Sequence, residues 1–379
     1  RDRLKNKHEV PQIRIVAAKG LARIHDRRAI NPLIEVVRDT EDTILVRIMA
    51  AESLGRFPAK RVSATLLWAL DQESPLLRGS AAYALADLNE TKALPKLVKG
   101  LSDKNEIVRF SFANAMARIG GERVLPNFIE GLQSPDYRLR ESSAIGLGAL
   151  RNENGVEPLI RALNDDHWRI RREAAISLGK IGKVASIEPL ILTLKKDPYL
   201  QVRASAAKAL GMVGDPRAVE PLIEAAKDKS VLVRMQAISS LGLLADTKAL
   251  RPLIEALHDE KIVVQCAAAF ALGKLHDPRA VKPLLDVLNA GSPEGLARKG
   301  NAIKELCSEL PESETKKYTK MYIKELPANL TLMVIKALGE IGDRRALEPL
   351  RQFGSKTPDA DLRAAVLQAI ARIERQNVQ

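Results

Sequence analysis

Cysteine is scarce in this 379-residue chain, with Cys266 and Cys307 the only two. Two thiols cannot staple a small secreted scaffold, so a disulfide framework is excluded. Aromatic residues make up 3% of the chain, while apolar residues reach 46%. The core must therefore be built from aliphatic side chains and alanine, and the chain is too apolar to be disordered. No apolar run approaches the roughly 18 residues of a membrane helix, so no membrane insertion is expected. The opening RDRLKNKHEV lacks the apolar segment of a secretory signal. With unpaired cysteines this points to the cytoplasm, although a leader removed before Arg1 would leave the same sequence.

The signatures of catalysis are also sparse. No HExxH occurs, and no Cys/His spacing suits zinc. His25 and His276 precede Asp26 and Asp277 in equivalent slots and read as turn residues; His8, His167 and His258 form no ligand pattern. Neither cysteine has a histidine close in sequence to activate it. The glycines recur at long intervals rather than in a phosphate-binding loop. A non-catalytic protein with no cofactor and no metal is the expectation.

What the chain does contain is a repeat. An anchor arginine stands at Arg14, Arg47, Arg78, Arg109, Arg140, Arg171, Arg203 and Arg234; Gln265, Arg298, Thr331 and Arg363 continue the series in steps of 31 to 33. Eight residues after the anchor comes glycine at Gly55, Gly148, Gly179, Gly211, Gly242, Gly273 and Gly339, and eighteen after it a proline recurs. Each unit reads as two helices. Val202, Ala206, Leu210 and Val213 make one apolar stripe, and Val219, Leu222, Ile223 and Ala226 make the next. Gly214-Asp215-Pro216 between them supplies a helix stop, a cap and a start. Pro221 falls in the opening turns of the second helix and delays its regular part. One pair cannot bury both stripes, so pairs must stack.

The segments 202–226, 233–257 and 264–288, of the form VRxxAAxALGxxGDPRAxxPLIxAL, resemble HEAT repeats of the type named after phycobilisome (PBS) lyases. The resemblance covers about 12–375. It implies an all-α fold: a right-handed α-solenoid of about eleven helix pairs plus a terminal half repeat. Regular repeats span about 12–288, a divergent repeat 289–329 and terminal repeats 330–375, in a single array over 1–379. The family includes chromophore lyases, degradation factors and adaptors, so the fold is implied far more sharply than the function.

The chain is basic, with net charge +13. Much of that excess belongs to the repeat. The anchor slot supplies ten arginines, expected to bond carbonyls or the Asp that ends the previous unit, as Asp228 precedes Arg234. A second slot, fourteen after the anchor, holds Arg28, Arg61, Lys92, Arg123, Arg217, Lys248, Arg279 and Arg345, a basic ladder along the turn edge. Asn154 and Ala185 interrupt it.

Three departures from the template mark candidate sites. Before the anchors of three consecutive repeats stand Tyr137, Trp168 and Tyr199, with Arg138 and Arg169 after the first two. Aromatics beside arginines can hold a ring, a base or a peptide, or simply cover the seam between repeats. On the second helices, one slot is expected on the concave face: Glu35, Trp68, Lys99, Glu130, Arg161, Leu192, Glu224, Glu255 and Asp286. Its mixed sign argues against a groove that tracks phosphates and for a partner with its own charge pattern. Trp68 reads as an aromatic anchor there or as half-buried packing. The divergent repeat carries a basic patch, Lys316, Lys320 and Lys324. The reading is a non-catalytic scaffold or adaptor that binds a protein partner along the concave face or a loop edge. The alternatives are nucleic-acid binding on the basic edge and a phycobilin lyase-like subunit.

Overall fold

The structure is a computed structural model that describes residues 2–7, 9–289 and 330–377. Among them, all regular structure is helical. The chain forms two compact units, residues 1–177 and 178–379. Each unit is an α-solenoid of stacked helix pairs, and ten pairs followed by a lone helix are described.

One pair shows why the sequence folds this way. Leu200–Val213 buries Val202, Ala206 and Leu210 completely. Gly214 ends it at φ +80°, a conformation that glycine adopts without strain. The Asp215 carboxylate accepts the N–H of Arg217 and caps a short 3₁₀ turn, Pro216–Ala218. The second helix, Val219–Ala225, buries Val219, Leu222 and Ala225; Ile223 and Ala226 are half-buried rather than inner. Pro221 is the third residue of that helix, where a missing N–H breaks no intrahelical bond.

First helices of successive repeats meet almost backbone to backbone. A β-carbon added to Gly242 would lie 2.7 Å from the Ala271 Cα, and one added to Gly55 would lie 3.0 Å from the Ala84 Cα. The glycine eight after the anchor thus receives the small residue six after the next anchor. Serine in that position adds a bond across the seam. Ser240 Oγ donates to the Ala207 carbonyl and Ser177 Oγ to the Ala144 carbonyl, each at 2.8 Å.

The same seam recurs late in the chain. Leu330–Ile341 packs directly on Ile262–Leu275, because Gly273 faces Ala337 just as Gly242 faces Ala271. Lys274 pairs with Glu340 at 3.2 Å, and His276 Nδ1 lies 2.8 Å from the Glu340 carbonyl oxygen. Residues 290–329, with the basic patch Lys316, Lys320 and Lys324, lie outside the described residues. The terminal half repeat is the helix Ala360–Gln376, which packs on Leu330–Ile341 through Gly339 and Ala369.

Candidate partner-binding surfaces

The anchor arginines are consumed by the fold. Arg234 donates to the carbonyls of Asp228 and Lys229 at 3.0 and 3.3 Å. Its other nitrogens form a fork on the Asp259 carboxylate at 2.8 and 3.0 Å. Arg203 does the same with the carbonyls of Asp197 and Pro198 and the carboxylate of Asp228. Arg140 binds the carbonyls of Ser134 and Pro135 and the carboxylate of Asp165. The carbonyl partners match expectation. The carboxylate does not, since it belongs to the loop after the arginine rather than the loop before it. Asp228 therefore serves two arginines, its carboxylate held by Arg203 and its carbonyl by Arg234. Gln265 keeps only the carbonyl half of this arrangement, on Asp259.

The turn ladder is basic in sequence, and half of its eight cations are neutralised in place. Arg28, Arg217, Arg279 and Arg345 each pair with the aspartate two residues earlier, at 3.0, 2.9, 2.6 and 2.6 Å. The arginine beside each of Asp215, Asp277 and Asp343 holds that carboxyl below the usual carboxylate range. The aspartate that caps the 3₁₀ turn is thus also the counter-ion of the ladder.

The second-helix row keeps its side chains in solvent. Glu35, Lys99, Glu130, Arg161, Leu192, Glu224, Glu255 and Asp286 are exposed. Three of its acids are paired locally: Glu35 with Lys5, Glu224 with Lys195 and Glu255 with Arg251, at 2.6, 2.8 and 3.1 Å. The acidic run in the later repeats is weaker than its sequence suggests. Trp68 is half-buried, with the Arg38 guanidinium 5.5 Å from its ring centre.

The aromatic row becomes a stack in the first unit. Tyr137 and Trp168 are the first residues of the helices Tyr137–Leu150 and Trp168–Ile181. His167 lies between their rings. Its centroid is 4.6 Å from that of Tyr137, nearly parallel, and 6.5 Å from that of Trp168. Arg138 lies over Tyr137 at 5.7 Å, while Arg169 and Arg172 lie over Trp168 at 5.5 and 5.3 Å. Arg169 also comes within 3.6 Å of Glu106, two repeats back. His167 Nδ1 accepts the N–H of Arg169, which puts the proton of the neutral ring on Nε2. Burial, and then the charge of Arg169, push the imidazole below its ordinary value. Tyr199 is exposed and stands immediately before Leu200–Val213 in the second unit.

The sequence pattern did not single out His167 as a member of this stack. It also passed over an exposed aliphatic row two residues before the anchor: Leu45, Leu76 and Ile107, which are 54, 48 and 43% exposed, with Phe110 beside them at 46%. The signal was available, since these slots sit in phase with Arg138 and Arg169. As for nucleophiles, burial pushes the Cys266 thiol up to about 12, so it is protonated at neutral pH; Cys307 lies outside the described residues. Among the described residues, no helix is long and apolar enough to cross a membrane.

Comparison with known proteins agrees with this architecture. The family model described as HEAT repeats matches residues 2–67, 63–145, 125–199, 187–262 and 233–300. The model described as PBS lyase HEAT-like repeat matches 332–353. Among curated proteins, none matches the chain significantly. Yeast importin-β (Kap95p) is similar in fold, with TM-score 0.57 and 14% identity over 98% of this chain and 61% of that one. The Kap95:Nup1 complex gives TM-score 0.59 and 14% identity over 98% and 56%. The phycocyanin lyase CpcE–CpcF of Nostoc gives TM-score 0.39 and 20% identity over 60% and 93%.

Proposed function

We propose that this chain, which belongs to the HEAT-repeat family, is a non-catalytic scaffold whose exposed side-chain rows bind a partner protein. The observation that supports this reading is a division of labour among the charged and aromatic residues. Anchor and turn arginines satisfy carbonyls and carboxylates of the repeat itself. The second-helix row projects into solvent instead, and Lys99, Glu130, Arg161 and Asp286 form no ion pair among the described residues. Rigid repeats that each present one side chain suit recognition of an extended or folded protein surface, with a few aromatic anchors carrying most of the affinity. The solved complex of Kap95 with Nup1 shows the fold in an assembly of that kind.

The nucleic-acid reading needs cations free to face phosphates. Four arginines of the turn ladder already have carboxylates against them. The test is crosslinking and capture from the native cell, with the intact chain and with and without nuclease. Nuclease-resistant capture of one protein in fixed proportion supports the scaffold reading. Capture of RNA or DNA that persists when Lys99, Arg161 and Trp68 are replaced by alanine sinks it.

A further inference from the structure

We infer that the first-helix edge of the first unit is a docking site for an extended segment of a partner protein that carries aliphatic or aromatic side chains followed by a carboxylate. The inference rests on the scaffold reading and names the partner chemistry of one surface.

The apolar half of the edge is built by Leu76, Ile107 and Phe110, which begin two adjacent first helices and stay 43–48% exposed. Ile107 leans against the helix Pro75–Asp87, its Cγ2 lying 3.8 Å from where a Gly79 β-carbon would stand. These apolar residues therefore line neighbouring repeats rather than lying scattered. Glu106 joins them to the cationic half, because it stands next to Ile107 and approaches Arg169 at 3.6 Å.

In the cationic half, the rings of Tyr137, His167 and Trp168 are already stacked, so a ligand loses little freedom of its host on binding. The Arg138 guanidinium lies on the Tyr137 ring, and among the described residues it pairs with no carboxylate. In this it differs from the arginine two residues on, Arg140, which grips Asp165 and Asp166. A charge-assisted bond to Arg138 would thus give a carboxylate to a guanidinium whose own partner is the neutral Tyr137 side chain. The aliphatic half separates this edge from a phosphate-tracking surface, which would continue the cations across Leu76 and Ile107. Charge complementarity at one end and exposed apolar surface at the other specify a peptide that is acidic and apolar in sequence.

A random peptide library displayed on phage, panned on the full chain, tests this. The expected result is enrichment of peptides that place an Asp or Glu beside aliphatic or aromatic residues. Their affinity should fall at least tenfold for Arg138→Glu and for Ile107→Asp, and stay unchanged for Glu224→Lys with Glu255→Lys. Arg138→Gln, with its melting curve compared with the parent, separates lost recognition from lost folding. Three results overturn the inference: no enrichment, enriched peptides without acids, or equal binding to Arg138→Glu. A labelled oligothymidylate that binds the parent and is lost with Trp168→Ala also overturns it, in favour of nucleic acid. Peptides lost only with the second-helix variants overturn this site and leave the scaffold reading standing.

Discussion

At the end of most first helices the chain turns through the left-handed region, and five positions do so without glycine: His25, Asn89, Arg151, Ala245 and His276. The two histidines read from sequence as turn residues are therefore strained caps. Alanine has no side-chain bond to offset that strain, so Ala245→Gly is expected to raise stability by about 0.5–1 kcal/mol, measured by urea denaturation. The reverse holds inside the seam. At Gly242 a methyl group would collide with Ala271 backbone and side chain alike. Gly242→Ala should cost roughly 2 kcal/mol in the same measurement, because neither helix can yield without shifting. Glycine at this slot was legible as a phase marker. Its reason, the backbone of the next repeat, became visible only once the layers were stacked.

Between elements, the arginine forks set the spacing of loops. The Arg234 side chain is about 10% exposed; its removal leaves two carbonyls without their donor and Asp259 with the Lys261 N–H but no cation in the fork. Arg234→Ala is expected to lower stability by about 3 kcal/mol, and lysine should rescue only part of this because it cannot fork. The periodic arginine could be read from sequence; the direction of its carboxylate could not. A partner 25 residues later is reached through stacking, whereas the aspartate six residues earlier looks nearer on paper. The aromatic stack holds a second prediction. The native pKa of His167 lies below its unfolded value, so the unfolded chain binds more protons between the two. No stability is lost to this group above the unfolded value, roughly 6.5. Stability then falls as pH drops through that value, until the native imidazole is protonated as well. The charges that act on the ring are Arg169, Glu141, Asp165 and Asp166. His167→Gln should flatten the melting temperature against pH between about 7 and 5.

For the whole molecule, the sequence period was a good guide to architecture. Gln265, Arg298 and Thr331 are spaced 33 and 33, so 290–329 keeps the phase of a repeat while the helices on either side of it close on each other. Length alone cannot separate one more layer from a long connection. Joining Asn289 to Leu330 by a short turn with the sequence of residues 226–230 should therefore leave the melting temperature within a few degrees, read by calorimetry. The binding surfaces were only partly legible for a related reason. Exposure is a property of the stacked array, so Leu76 and Ile107 look like core residues in isolation.

The double service of Asp228 has one more consequence. The guanidiniums of Arg140, Arg203 and Arg234 each reach backward to amide oxygens and forward to a carboxylate, so a row of such forks carries an arrow along the chain. Cut such an array behind an arginine and a buried cation is stranded. Cut it ahead of one and the bare ends are a carboxylate or carbonyls, which water can hydrate. Shortening from the front should thus be milder than shortening from the back, and new repeats should join most readily where the trailing arginine still waits for its acid.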